Sequence, residues 1–181
     1  VTGPVRQSLR AGATSESPEV RTIAGREVSY FAGGNVAFTR SALDALDGFD
    51  EYLETGGARD VAHRLAGLDR SVAWRPDMDA RNDGGVEPDG GRDSGEWGWK
   101  YRALAYRLAK NYGVRPTVLR RTGGHAVEDG LAADRDVVGG EARPTAWAGA
   151  GRAVAGGIVT GFSDGLVARA RDRTARRNPH G

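Results

Sequence analysis

The chain has 181 residues, 39% of them hydrophobic, with 28 glycines, no cysteine and a formal net charge of +2. That length is one domain's worth of chain, or part of a larger protein. The lack of cysteine excludes disulfides and thiolate-held metals, and so small a net charge does not demand a polyanionic partner.

Residues 1–26 are polar, with Pro4, Pro18 and scattered Ser and Thr, and read as a flexible lead-in. They contain no apolar core of a signal peptide. The start at Val1 and the end at Gly181 read as cuts or an alternative start. Val28–Phe31 is a short β-prone run that stops at Gly33 and Gly34. Ser41 with Asp44 three residues on spells a capping box, for a short helix from about Ala42 to Gly48. A second helix is expected from about Ala58 to Gly67, with Val61, Leu65 and Leu68 on one face. Arg70–Pro76 alternates apolar and polar residues and reads as a strand ended by proline. Asn82–Gly95, rich in Gly, Asp and Pro, reads as a loop.

Trp97, Tyr101, Leu104, Ala105, Leu108 and Tyr112 then mark one stripe of an amphipathic helix, closed by Gly113 with Pro116 beyond. Lys100, Arg102, Arg107 and Lys110 lie between these aromatics. They read first as a solvated face, and second as a surface for anionic headgroups or nucleic acid. No nucleic-acid-binding motif accompanies them. Arg120–Arg143 reads as irregular, and Pro144 to about Arg173 as a glycine-weakened helix. In that helix Gly149, Ala153, Gly157, Gly161 and Gly165 recur every four residues. Such spacing lets another helix approach closely. A helix lying on a membrane is the competing reading.

Several residues carry possible chemistry. Gly33-Gly34-Asn35 is either a plain turn, the favoured reading, or a place where backbone N–H groups approach a ligand. Phe49 is expected to plug the core, and Asp50 and Glu51 to cap the next turn. Asp60 and Arg64 stand at i, i+4, either as a surface ion pair or with Asp60 facing a cleft as general base. His63 has no partner at metal-ligand spacing. Asp77-Met78-Asp79 reads as a surface turn.

The order GGN-x-A-x-x-R-x-A-L, then GFDE, then G-x-x-D-x-x-x-R-L and a strand ending in proline, resembles the second half of family 2 glycosyltransferases. The resemblance covers roughly Tyr30 to Asn82; the segment after it is similar to extensions of haloarchaeal members. It implies an α/β fold: a partial GT-A-like domain over 27–95, with a helical C-terminal extension over 96–181. It also implies transfer of a sugar from a nucleotide-sugar donor to a glycan or lipid-linked acceptor, in the cytoplasm or at the inner face of the cell membrane.

By that resemblance Gly33, Gly34, Asn35, Asp50 and Arg64 bind substrate. The family's Glu-Asp-x-Asp reads Gly57, Ala58, Arg59 and Asp60 here, leaving Asp60 as the candidate base. The complete enzyme implies a divalent cation, Mg or Mn. Its Asp-x-Asp ligands belong to a nucleotide-binding half that nothing before Tyr30 resembles. No metal ligand is assigned in this chain, and Asn82 stands where many members carry a ligating histidine. The chain alone is therefore expected to be inactive. The rival reading is a non-enzymatic module whose Arg-rich helical half binds a partner or touches a membrane peripherally, without nucleic acid.

Overall fold

The structure, a computed structural model, describes residues 1–7, 14–15, 17–82, 94–138 and 144–171. The chain is mixed α/β and divides into two compact units, Val1–Gly90 with Thr174–Gly181, and Gly91–Arg173. The loop expected over Asn82–Gly95 lies mostly outside the described residues.

The first unit holds β1 (Val5–Gln7), β2 (Thr14–Ser15), β3 (Glu19–Ile23), β4 (Arg26–Tyr30), α1 (Arg40–Leu46), α2 (Gly57–Gly67) and β5 (Ala80–Asn82). β3 and β4 form an antiparallel hairpin, with Glu19 opposite Tyr30. β1 is the middle strand of a small sheet, antiparallel to β2 and parallel to β5. Strands thus occupy the segment read as a flexible lead-in. Thr2 is 1% exposed and bridges both Val36 and Trp74. Its backbone accepts from Arg75 N–H and donates to Ala73 O. Gly3 is needed beside it, since a β-carbon there would lie 2.6 Å from Arg75 O.

The strand expected over Arg70–Pro76 reduces to that single bridge at Trp74. One edge contact with Thr2 satisfies the backbone, and the chain then turns, Met78 N–H donating to Arg75 O.

α1 begins one cap earlier than the capping box suggests. Thr39, not Ser41, is the N-cap, its Oγ1 accepting from Ala42 N–H. Asp44 is drawn instead to Arg40 at 3.1 Å. α1 ends because Asp47 and Gly48 both take positive φ, 52° and 80°. α2 follows its expected bounds and is buried on several sides: Asp60, Val61, Ala62, His63, Arg64 and Leu65 are all buried. Leu68, expected on the same face, is exposed. Ile23, Val28, Tyr30, Phe31, Leu46, Val61 and Leu65 form the apolar core of this unit.

The second unit holds α3 (Ser94–Tyr112), α4 (Pro116–Val138) and α5 (Pro144–Ala170). The aromatic stripe of α3 is buried at Tyr101, Leu104, Ala105, Leu108 and Tyr112. Gly113 closes the helix with φ 72° and donates to Ala109 O. The segment read as irregular is instead α4.

α3 packs mainly on α5. The glycine spacing explains how. β-Carbons at Gly157 and Gly161 would collide with the carbonyl oxygens of Gly98 and Arg102, and one at Gly165 would lie 2.5 Å from Tyr106 O. Gly149, at the start of the same series, has nothing within reach. Arg169 ties the helix ends, donating to the carbonyls of Lys110 and Asn111. The basic residues of α3 are not a free face. Lys110 is fully buried with its Nζ 5.4 Å from the Tyr106 ring. Arg102 pairs with Asp164 at 3.0 Å, and the Lys100 Nζ sits 4.6 Å over Trp97.

Candidate functional site

Of the residues singled out from sequence, Asp60, His63 and Arg64 lie on α2, and the turn that carries Gly33 abuts its first turn. Gly33 lies at a turn, with Asn35 N–H donating to Ala32 O. A β-carbon at Gly33 would meet the Ala58 β-carbon at 3.3 Å, so this turn abuts the first turn of α2. Gly33 and Gly34 are exposed, whereas Asn35 is 7% exposed.

Asn35 works inward. Its Nδ2 donates to Pro4 O at 2.9 Å and to Met78 O at 2.7 Å, and its backbone carbonyl separately accepts from Thr2 Oγ1 at 2.7 Å. One side chain therefore ties the glycine turn to the start of the chain and to the turn before β5. Asn35→Asp would point a carboxylate at two carbonyl oxygens. It is expected to destabilise the unit by ~1–3 kcal/mol, the range for buried polar groups left without partners. Chemical denaturation of the variant beside the parent measures this.

Arg64 and Asp60 form a buried clamp. Arg64 Nε donates to Asp60 Oδ2 at 2.8 Å, and the two side chains are 7% and 0% exposed. The guanidinium also donates to Leu46 O and, at 3.0 Å, to Gly48 O. These carbonyls belong to the end of α1 and the turn after it. Such end groups lack partners within their own helix, and the planar fork of Arg suits several acceptors at once. The pair read as a surface ion pair is thus an internal one. In this conformation the Asp60 carboxylate holds a guanidinium and presents nothing to solvent.

Asp50 is 3% exposed, and its Oδ1 accepts from Tyr52 N–H at 3.2 Å. Phe49, expected in the core, is 46% exposed. Its ring makes an edge contact with Phe38 at 6.0 Å, and Phe38 makes another with buried Phe31 at 5.9 Å. A row of three rings thus leads from the core to the surface. There an open depression of about 430 Å³ is lined by Leu43, Asp44, Asp47, Gly48, Phe49 and Glu51.

Two further contacts went unread in the sequence. His63 Nε2 lies 3.3 Å from the Tyr30 hydroxyl, both residues buried, with the rings edge to face. Arg59 places its guanidinium 4.5 Å over the Tyr30 ring and pairs with Glu19 at 3.1 Å. Partial burial raises the Glu19 carboxyl's pKa, but hydrogen bonds and charge from Arg59 and Arg21 outweigh it, so the net shift is downward. Neither contact has a sequence signal, because the partners lie 33 and 40 residues apart.

Among the described residues no group of three or more His, Asp or Glu side chains is arranged to hold a metal ion. Asp77 and Asp79 are exposed beside Met78, whose backbone accepts from Asn35. Asn82 is the last residue of β5. No described helix is long and apolar enough to cross a membrane. Compared with models of protein families, with curated proteins and with solved structures, the chain matches none.

Proposed function

We propose that the unit Val1–Gly90 is the acceptor-side lobe of a GT-A-like glycosyltransferase of family 2, serving sugar transfer from a nucleotide-sugar to a glycan or lipid-linked acceptor. The observation that carries this reading is the meeting of the three resembling motifs on one helix. The Gly33 turn abuts Ala58, the Gly48 carbonyl accepts from Arg64, and a β-carbon at Gly57 would touch the Phe49 ring at 3.8 Å.

The chemistry of the depression agrees with a sugar ligand. Phe49 offers an exposed aromatic face on which the C–H face of a sugar ring can lie. Asp44 (which also holds Arg40), Asp47 and Glu51 line the same depression with carboxylates. A concave site with an apolar platform and a few polar groups fixes a ligand's orientation.

In this reading Asp60 is a positioning residue. It holds Arg64, and Arg64 holds the end of α1 against the turn that carries Phe49. Asp60 is the one acid at the family's Glu-Asp-x-Asp positions and it is buried in the pair with Arg64, so the first turn of α2 presents no exposed carboxylate. The divalent cation and its ligands belong to the nucleotide-binding half, and no step is assigned to it in this lobe.

The test uses this chain and a form extended N-terminally by the sequence encoded upstream. Thermal shift with UDP- and GDP-sugars is followed by transfer assays on glycan and lipid-linked acceptors. The chain alone is expected to show no turnover. The extended form is expected to bind a donor and transfer, with Phe49→Ala reducing transfer about tenfold through loss of an aromatic contact. Absence of donor binding and transfer in both forms overturns the proposal.

A further inference from the structure

Among the described residues, the face of α5 turned away from α3 has no acidic residue. Its exposed positions are Gly151, Arg152, Ala155, Gly156, Val159, Thr160, and then Ser163, Leu166, Val167, Ala170 and Arg171. Val159, Leu166 and Val167 are 70%, 37% and 45% exposed. Arg152 and Arg171 stand at the two ends of this stripe, both exposed. Asp164 lies at its margin, paired with Arg102.

The sequence posed close packing and membrane contact as rivals for this helix. In the structure the packing occupies one face and leaves another exposed. Gly157, Gly161 and Gly165 serve the packing on α3, and that contact does not use Val159 or Val167.

We infer that this outer face of α5 docks on the surface of a membrane containing anionic lipid. Three aliphatic side chains enter the headgroup boundary while Arg152 and Arg171 meet the lipid phosphates. The charge is complementary: among the described residues the face has two cations and no anion. Helices that lie in the interface combine apolar insertion with attraction to anionic lipid. A second copy of the chain is the weaker occupant. A stable protein interface engages roughly 20–30 residues a side, more than one face of one helix offers. The inference stands apart from the sugar-transfer reading and holds whether or not the lobe transfers.

Vesicle co-sedimentation of the full chain tests it, with phosphatidylcholine vesicles against vesicles that also contain phosphatidylglycerol. Binding is expected to the anionic vesicles and to weaken with salt, since these charges are exposed. Val159→Glu with Val167→Glu is expected to cut binding at least ~10-fold, because the apolar transfer is lost. Arg152→Ala with Arg171→Ala should cut it too, by less. Melting temperatures of both variants should match the parent. The chain has no native cysteine, so Val159→Cys carries a single polarity-sensitive dye. Its emission should shift to the blue on anionic vesicles.

The dye variant reports even where the glutamate pair fails to fold. No binding by the parent, binding undiminished in folded variants, or an unresponsive dye at position 159 overturns the inference. A concentration-dependent dimer abolished by Val159→Glu, without vesicle binding, assigns the face to a second copy and overturns it as well.

Discussion

Arg64→Ala is expected to cost the first unit ~3–5 kcal/mol, the usual effect of removing one partner of a buried ion pair. Asp60 has no exposure, so its charge cannot recover the hydration that Arg64 replaces. Leu46 O and Gly48 O also lose their donor, and with it the tie between α2 and the end of α1. Against a total stability of ~5–15 kcal/mol for a typical domain, this is a large share. The first unit should melt more than ~10 °C lower. Arg64→Lys should recover only part, because an ammonium cannot span three acceptors in one plane. The double change Asp60→Leu with Arg64→Met should lose much less than the sum of its parts, since apolar replacements of buried pairs are often neutral. Melting curves of Arg64→Ala, Arg64→Lys, the double variant and its two single parts decide this. A parent-like melt for Arg64→Ala would show that the clamp does not hold the unit together.

One more variant, Asp60→Asn, separates two roles for Asp60. As a general base, Asp60→Asn would abolish transfer by the extended enzyme at unchanged melting temperature. As the anchor of Arg64, the variant should lose stability first and keep turnover in the folded fraction.

What was legible in the sequence follows a physical rule. α2 and α3 are amphipathic over several turns, so Val61, Leu65, Tyr101 and Leu108 announce their faces, and Gly113 announces a helix end. β3 was not legible. Along Glu19–Ile23 only Ile23 is buried, so no alternation marks the strand. β1 pairs with β5 across 75 residues of chain, Val5 opposite Ala80, which no local pattern encodes. α4 was hidden because adjacent glycines lower helix propensity, yet Gly123 and Gly124 sit inside a continuous helix.

For the candidate site, the sequence pointed to the right neighbourhood and missed the direction of the side chains. Spacing put Asp60 and Arg64 one turn apart, but only the packing of α1 against α2 shows that their charges point inward. Asn35 likewise follows two exposed glycines, yet its amide turns inward to Pro4 and Met78. Phe49 erred the other way, because an aromatic in a turn suggests a core plug when its outward neighbours are unknown.

Two adjacent glycines of α5 should respond with opposite signs. Gly156→Ala places a methyl group in open space, since nothing lies within 4 Å of a β-carbon there. It should stabilise the second unit by up to ~1 kcal/mol, the helix-propensity gain of Ala over Gly. Gly157→Ala gains the same propensity, but its β-carbon would collide with the carbonyl oxygen of Gly98. A backbone oxygen inside a helix cannot rotate away, so α5 must retreat from α3 along its length. Overpacking of this kind costs typically ~1–3 kcal/mol, which outweighs the propensity gain. Gly161→Leu should be worse, because its β-carbon already meets Arg102 O and three more carbons follow. Retreat there would also stretch the Arg102–Asp164 pair, a 3.0 Å contact between the same two helices. Thermal melts of Gly156→Ala, Gly157→Ala and Gly161→Leu should therefore rise, fall, and fall furthest. If Gly157→Ala melts above the parent, α3 and α5 do not pack backbone to backbone at Gly98, and the four-residue glycine spacing has some other cause.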